Sequence, residues 1–172
     1  MSNGLAAFTI FHVVLSLIGI FSGFVVIFGL IAGKRLSGWT PWFLWTTLAT
    51  NVTGFMFPFH KLLPSYVVGA ISTIILGVAF YALYSRHLVG GWRRSYVITS
   101  VIALYLNVFV LIAQLFAKVP ALKDLAPTQT EMPFKVAQII NLVVFLILGI
   151  FAAKGVAHEQ AGTHPSANLS VR

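Results

Sequence analysis

"FTIFHVVLSLIGIFSGFVVIFGLIA", residues 8 to 32, carries no charged side chain from end to end. Wound as a helix it clears a hydrocarbon core of roughly 30 Å, which needs about 20 residues. No Lys or Arg precedes Lys34, so the run lacks the basic start of a secretion signal, and it is longer than a signal's apolar stretch. It is therefore expected to remain as a membrane-spanning helix.

Four more runs of this kind follow, at about 41–59, 65–86, 95–117 and 134–153. Thr40 before Pro41 reads as a cap followed by a first-turn proline; Ser95 reads as the cap of the fourth helix, Pro58 closes the second and Pro133 opens the fifth. The chain is expected to be all-α, an integral membrane bundle of five transmembrane helices forming one domain over 1–153. Residues 154–172 are polar, small and aperiodic, and are expected to form a mobile cytoplasmic tail.

Composition agrees. Only 8% of residues are charged, against roughly 25% in soluble domains. The net charge of +8 in so apolar a chain reads as membrane orientation, with no nucleic-acid motif beside it. Absence of Cys excludes disulfides, thiolate metal sites and a Cys nucleophile. No span holds Asp, Glu, Lys or Arg in its interior, which argues against a carboxylate-driven pump. There is no P-loop, HExxH or GxSxG, so hydrolytic and nucleotide-dependent chemistry lacks its residues, and no catalytic set is assigned.

Orientation follows from the cations. With the N-terminus outside, the inner side receives Lys34, Arg35, Arg86, Arg93, Arg94, Lys154 and Arg172, and the outer side Lys61, Lys118, Lys123 and Lys135. Seven against four favours N-out, C-in. The inner loops "GKRLSGW" and "SRHLVGGWRRS" share an order of basic residues, Leu, Gly and Trp. A duplicated two-helix hairpin would give this, but the helices themselves align poorly, and the common needs of a short cytoplasmic turn account for it better.

In lipid, small residues that permit close approach and polar side chains that need partners mark the inward faces of helices. Helix one carries His12, Ser16, Gly19 and Gly23 on one stripe; helix two carries Thr47, Thr50, Asn51 and Gly54; helix three carries Gly69, Thr73 and Gly77. Ser100, Asn107 and Gln114 recur every seven residues on helix four, and Gln138, Asn141 and Gly149 fall on one side of helix five. Helix packing is accordingly assigned to Gly19, Gly23, Gly69, Thr73, Gly77, Asn51 and Asn107. The same stripes and the small size of the bundle lead us to expect a homo-oligomer.

By depth, His12, His60, Gln114, Gln138 and Asn141 crowd toward the outer half, and are expected to line an outward-facing polar pocket. Two readings stand for the histidines. Both imidazoles can be structural, bonded to neighbouring hydroxyls, amides or water. Alternatively His12 and His60 ligate a metal or the iron of a b-type haem, or one of them bonds a quinone. His87, among arginines on the inner side, reads as a headgroup contact. His158 and His164 lie too far apart in the tail to form a metal site. The amides can likewise be interhelical glue, worth about 0.6 kcal/mol each.

The runs "TPWFLWTTLATNVTGFMFPFH" and "ALYLNVFVLIAQLFAKVPALKDLAPTQTEMPF" resemble a family of small bacterial inner-membrane proteins of uncharacterised activity, over residues 10 to 153. That resemblance implies a multi-pass protein of the bacterial inner, cytoplasmic membrane. The loops "GKRLSGW" and "RHLVGGWRRSY" also resemble those of cytochrome b-type bundles, in which histidines on neighbouring helices hold haem; here no span after the first has a histidine well inside it. The expected function is that of an inner-membrane binding or accessory protein whose partners are the bilayer and a small apolar or amphipathic ligand, the alternative being a redox protein using haem or quinone near His12 and His60.

Overall fold

A computed structural model describes residues 3–57 and 64–162, and the side chains of 4–57 and 66–157. Pro58, His60, Lys61, His164 and Arg172 lie outside the described residues, as does the side chain of His158. Among the described residues the structure is all-helical: α1 Asn3–Ile31, α2 Trp39–Phe55, α3 Pro64–Phe80 with a π-helical last turn Tyr81–Ser85, α4 Gly91–Lys118, α5 Pro120–Leu125 and α6 Met132–Gly162.

Four segments are long and apolar enough to cross a membrane: Gly4–Ile31, Tyr66–Ser85, Gly91–Lys118 and Met132–Ala157. The protein is a membrane protein on this ground and on the character of its surface. Phe21, Ile74, Ile139 and Leu146 are each more than half exposed, as lipid-facing side chains are and those of a water-soluble domain are not. The second expected span is the shortest. Its 17 residues give roughly 25 Å of helix, and it carries a row of threonines.

Contacts fix how the helices run. Along α1 and α2, His12 meets Thr53, Gly19 meets Thr46 and Thr47, and Gly23 meets Phe43, so the two are antiparallel over several turns. Asn51 bonds Ser72 and Thr73, and Trp45 packs on Phe80, which makes α2 and α3 antiparallel as well. Between α4 and α6 the pairs Phe116–Phe134, Tyr105–Phe145 and Val101–Gly149 again run in opposite directions. α6 lies parallel to α1, joined by Phe24–Phe145 and by the seating of Gly155 on the end of α1. α1 therefore touches α2, α4 and α6, and its Ile20, Ser22, Val26, Ile27 and Leu30 are buried with Phe43, Leu44, Val97 and Leu104.

Several helix ends differ from expectation, each for a local reason. Thr40 does not cap α2: the backbone N–H groups of Trp39 and Thr40 already donate to Leu36 O at 3.0 Å each, and the Thr40 hydroxyl donates to that carbonyl as well. Ser95 does not cap α4, which begins at Gly91; its hydroxyl donates to Gly91 O. α6 does not stop at 153 but continues to Gly162, because Ala152 and Val156 are buried and Gly155 packs on α1, so contact extends the helix through the polar composition.

The residues of the packing stripes fall in different surroundings. Gly19, Gly23 and Gly69 face side chains of neighbouring helices. Asn51 and Thr73 are bonded to each other, and Asn107 donates to Thr47 Oγ1 at 3.5 Å. Gly77 is exposed and nothing stands within 4 Å of where its side chain would be, so it packs against no helix. α3 touches α2 through Gly69, Ser72, Thr73 and Phe80, and Gly77 lies at the flank of that side.

Candidate functional site at the His12 end of the bundle

His12 is half-buried on α1, and its Nδ1 lies 2.8 Å from Thr53 Oγ1 on α2. Gly54, one residue on, leaves room for the ring: even a side-chain carbon there would stand 3.5 Å from His12 Cε1. The Thr53 hydroxyl has a single hydrogen, and Ala49 O lies 2.7 Å from it in the usual i−4 arrangement of intramembrane threonines. When that hydrogen goes to the carbonyl, Thr53 accepts from a protonated Nδ1 and the lone pair sits on Nε2, which has no hydrogen-bond partner among the described residues. A ring nitrogen braced by its opposite N–H is the arrangement found in ligating histidines.

The surroundings are aromatic. Phe57 meets the His12 ring edge to face at 5.2 Å, and Phe8 lies 5.0 Å from Phe57. Lys118 ends α4. Thr53, Phe8, Phe57 and Lys118 were not singled out from the sequence. Thr53 alone carried a signal, since it falls one turn before Phe57 on the threonine side of α2 that Thr46, Thr47 and Thr50 define.

The expected amides separate. Gln138 donates from Nε2 to Phe109 O at 3.1 Å, while its Oε1 is buried without a partner. Asn141, one turn further along α6, is 6% exposed, and its Nδ2 is also buried without a partner. A buried polar atom left unpaired costs about 1–3 kcal/mol, so α6 presents one acceptor and one donor to the interior at a cost in stability. Gln114 lies on the exposed face of α4 and does not join them. Its expected place under the outer loop is taken by Gln129, whose Nε2 donates to Ala113 O at 2.8 Å and ties the loop to α4.

That loop is closed by a small turn. Glu131 accepts from the Thr128 hydroxyl at 2.8 Å and from the backbone N–H groups of Thr128 and Thr130 at 3.1 and 3.0 Å. Partial desolvation pushes its carboxyl up, but these bonds together outweigh that and hold it below the ordinary carboxylate range.

Comparison with protein-family models, with curated proteins and with solved structures finds no match to this chain.

Proposed function

We propose that the protein is a multi-pass binding protein of a bacterial inner membrane, inserted N-out and C-in by five crossings, which receives a small amphipathic ligand at its outer end. The observation that carries this reading is His12, paired through Nδ1 with Thr53 beside Phe57, whose Nε2 bonds none of the described residues. α2 serves as the fifth crossing. It runs antiparallel to both α1 and α3, which therefore point the same way, and two spans pointing the same way need a return crossing between them. The seven-to-four division of cations sets the orientation.

Braced in this way, His12 is an acceptor, so it favours ligands that bring a donor. A phenolic or quinol hydroxyl suits it, with the Phe8 and Phe57 rings to flank the headgroup. The same lone pair supports a second, redox reading in which His12 ligates the iron of a b-type haem, and His60 is the other ligand expected from the sequence. A short-chain quinol and haem b are the probes. Binding of the quinol to the purified full chain is expected to weaken about tenfold in Thr53→Val, which removes the brace, and to vanish in His12→Ala. For haem, a Soret band lost in His12→Ala is expected. Unchanged binding in a folded His12→Ala variant would refute the site.

A further inference from the structure

The inner end of the bundle contains a second site. A cavity of about 280 Å³ lies between the two inner loops and the ends of α1, α3 and α4. Arg35, Ser37, Tyr84 and His87 surround its mouth, and all four are exposed. Tyr96 and Thr40 form its floor, at 3% and 9% exposure, and its walls include Leu30, Leu83 and Leu88. It is polar at both ends, apolar along the sides, and among the described residues no carboxylate lines it.

The backbone is bent to make it. The last turn of α3 widens to a π-helix, with Arg86 N–H donating to Tyr81 O at 3.0 Å, and the following chain doubles back so that Leu88 N–H reaches Ala82 O at 3.0 Å. His87 and Leu88 both adopt left-handed conformations, φ 48° and 57°, which cost L-residues energy and persist only where the surroundings hold them. The result buries Leu88 in the wall and leaves His87 at the mouth, across from Arg35 on the other loop. π-turns of this kind recur at functional sites.

The hydroxyl groups on the floor have capacity to spare. Tyr96 Oη donates to Thr40 Oγ1 at 3.5 Å, the far limit of a hydrogen bond, so its hydrogen is readily given to a better acceptor. Thr40 spends its own on Leu36 O. A guanidinium and an imidazole at the mouth, neither facing a carboxylate in the cavity, with hydroxyl donors beneath them, make a receptor for an anion with several oxygens. Lys34 in the first of these loops and Arg94 in the first turn of α4 strengthen the field around it.

We propose that this cavity binds a phosphate monoester, in the form in which an anionic lipid presents it, with Arg35 and His87 on the phosphate oxygens, Tyr96 beneath, and the glycerol portion against the leucine walls. Its place at the end of the spanning helices, with Trp39 and Trp92 in the first turns of α2 and α4, puts it at headgroup level. The site lies at the opposite end of the bundle from His12 and stands independently of what binds there.

The test uses the full chain in phosphatidylcholine nanodiscs containing a small fraction of phosphatidic acid, with bound lipid read by native mass spectrometry. Wild type is expected to retain phosphatidic acid in preference to phosphatidylcholine. Arg35→Gln should weaken retention about tenfold and Tyr96→Phe severalfold, with circular dichroism unchanged, while Lys34→Gln, which removes the same charge outside the cavity, should weaken it less than twofold. Displacement of the lipid by glycerol phosphate would assign the site to soluble phosphate esters, and resistance to it would assign the site to the lipid; either result supports the phosphate site. Equal losses in Arg35→Gln and Lys34→Gln, or no preference over phosphatidylcholine, would overturn it.

Discussion

Gly155→Ala is expected to loosen α6 from α1 and to lower the stability of the bundle in detergent by about 3 kcal/mol. A single added carbon at this position would collide with the carbonyl oxygens of Leu30 and Ile31. These belong to the last turn of α1, where Gly33 N–H donates to Leu30 O and Lys34 N–H to Gly29 O, so the backbone is held by its own turn and has no rotamer to change. Collision with backbone is therefore resolved only by separating the helices. Gly77→Ala is the matching control, because nothing lies within 4 Å of the added carbon. Thermal unfolding followed by circular dichroism compares the two, and equal midpoints would show that α6 does not sit on α1 as described.

The second large effect is expected at Gly23. Here an added carbon would stand 2.7 Å from Leu104 Cδ1 and 2.9 Å from Phe43, and Phe43 and Leu104 are fully buried. Alanine forces these side chains to shift by a few tenths of an ångström. Leucine has no space at all, and Gly23→Leu should cost about 3 kcal/mol or prevent assembly of α1 with α2 and α4. Val14→Leu, on a face of α1 that is 47% exposed, should be tolerated. The same unfolding measurement decides it: a Gly23→Leu protein as stable as Val14→Leu would mean that this face of α1 is turned to lipid.

These two glycines show what the sequence reveals and what it leaves hidden. Gly23 falls on the stripe with His12, Ser16 and Gly19, and a periodic stripe is legible because it reports one face of one helix. Gly155 sits in a segment whose polar composition reads as tail, and its close approach depends on α6 lying parallel to α1, a relation between residues far apart in the chain. Val26, three residues beyond Gly23, continues that stripe and is 3% exposed, so the covered face of α1 runs one turn further than its small and polar residues mark. Spacing alone fails for Gly77 and Gln114 because a stripe marks one face of a helix and does not say whether a neighbour reaches every turn of it.

The sites divide in the same way. His12 is legible, since a lone imidazole within an apolar run stands out, but its bonding depends on Thr53, 41 residues on. The inner cavity is harder to read. Arg35 appears in the sequence as an ordinary inner-loop cation and His87 as a headgroup contact among arginines, and the π-turn and the two left-handed residues that bring them around Tyr96 leave no periodic signal.

The central claim is the five-crossing, N-out arrangement that puts His12 at the outer end, and labelling single cysteines in this cysteine-free chain tests it most directly. Cysteines would be placed at Ser37, Val89 and Thr130 and exposed in intact cells to a membrane-impermeant maleimide. The account predicts that position 130 reacts at once, while positions 37 and 89 react only after lysis. Labels at 37 and 89 on opposite sides would mean that α2 does not cross, and labels at 37 and 89 reacting from outside, with 130 protected, would reverse the orientation; either result would contradict the account.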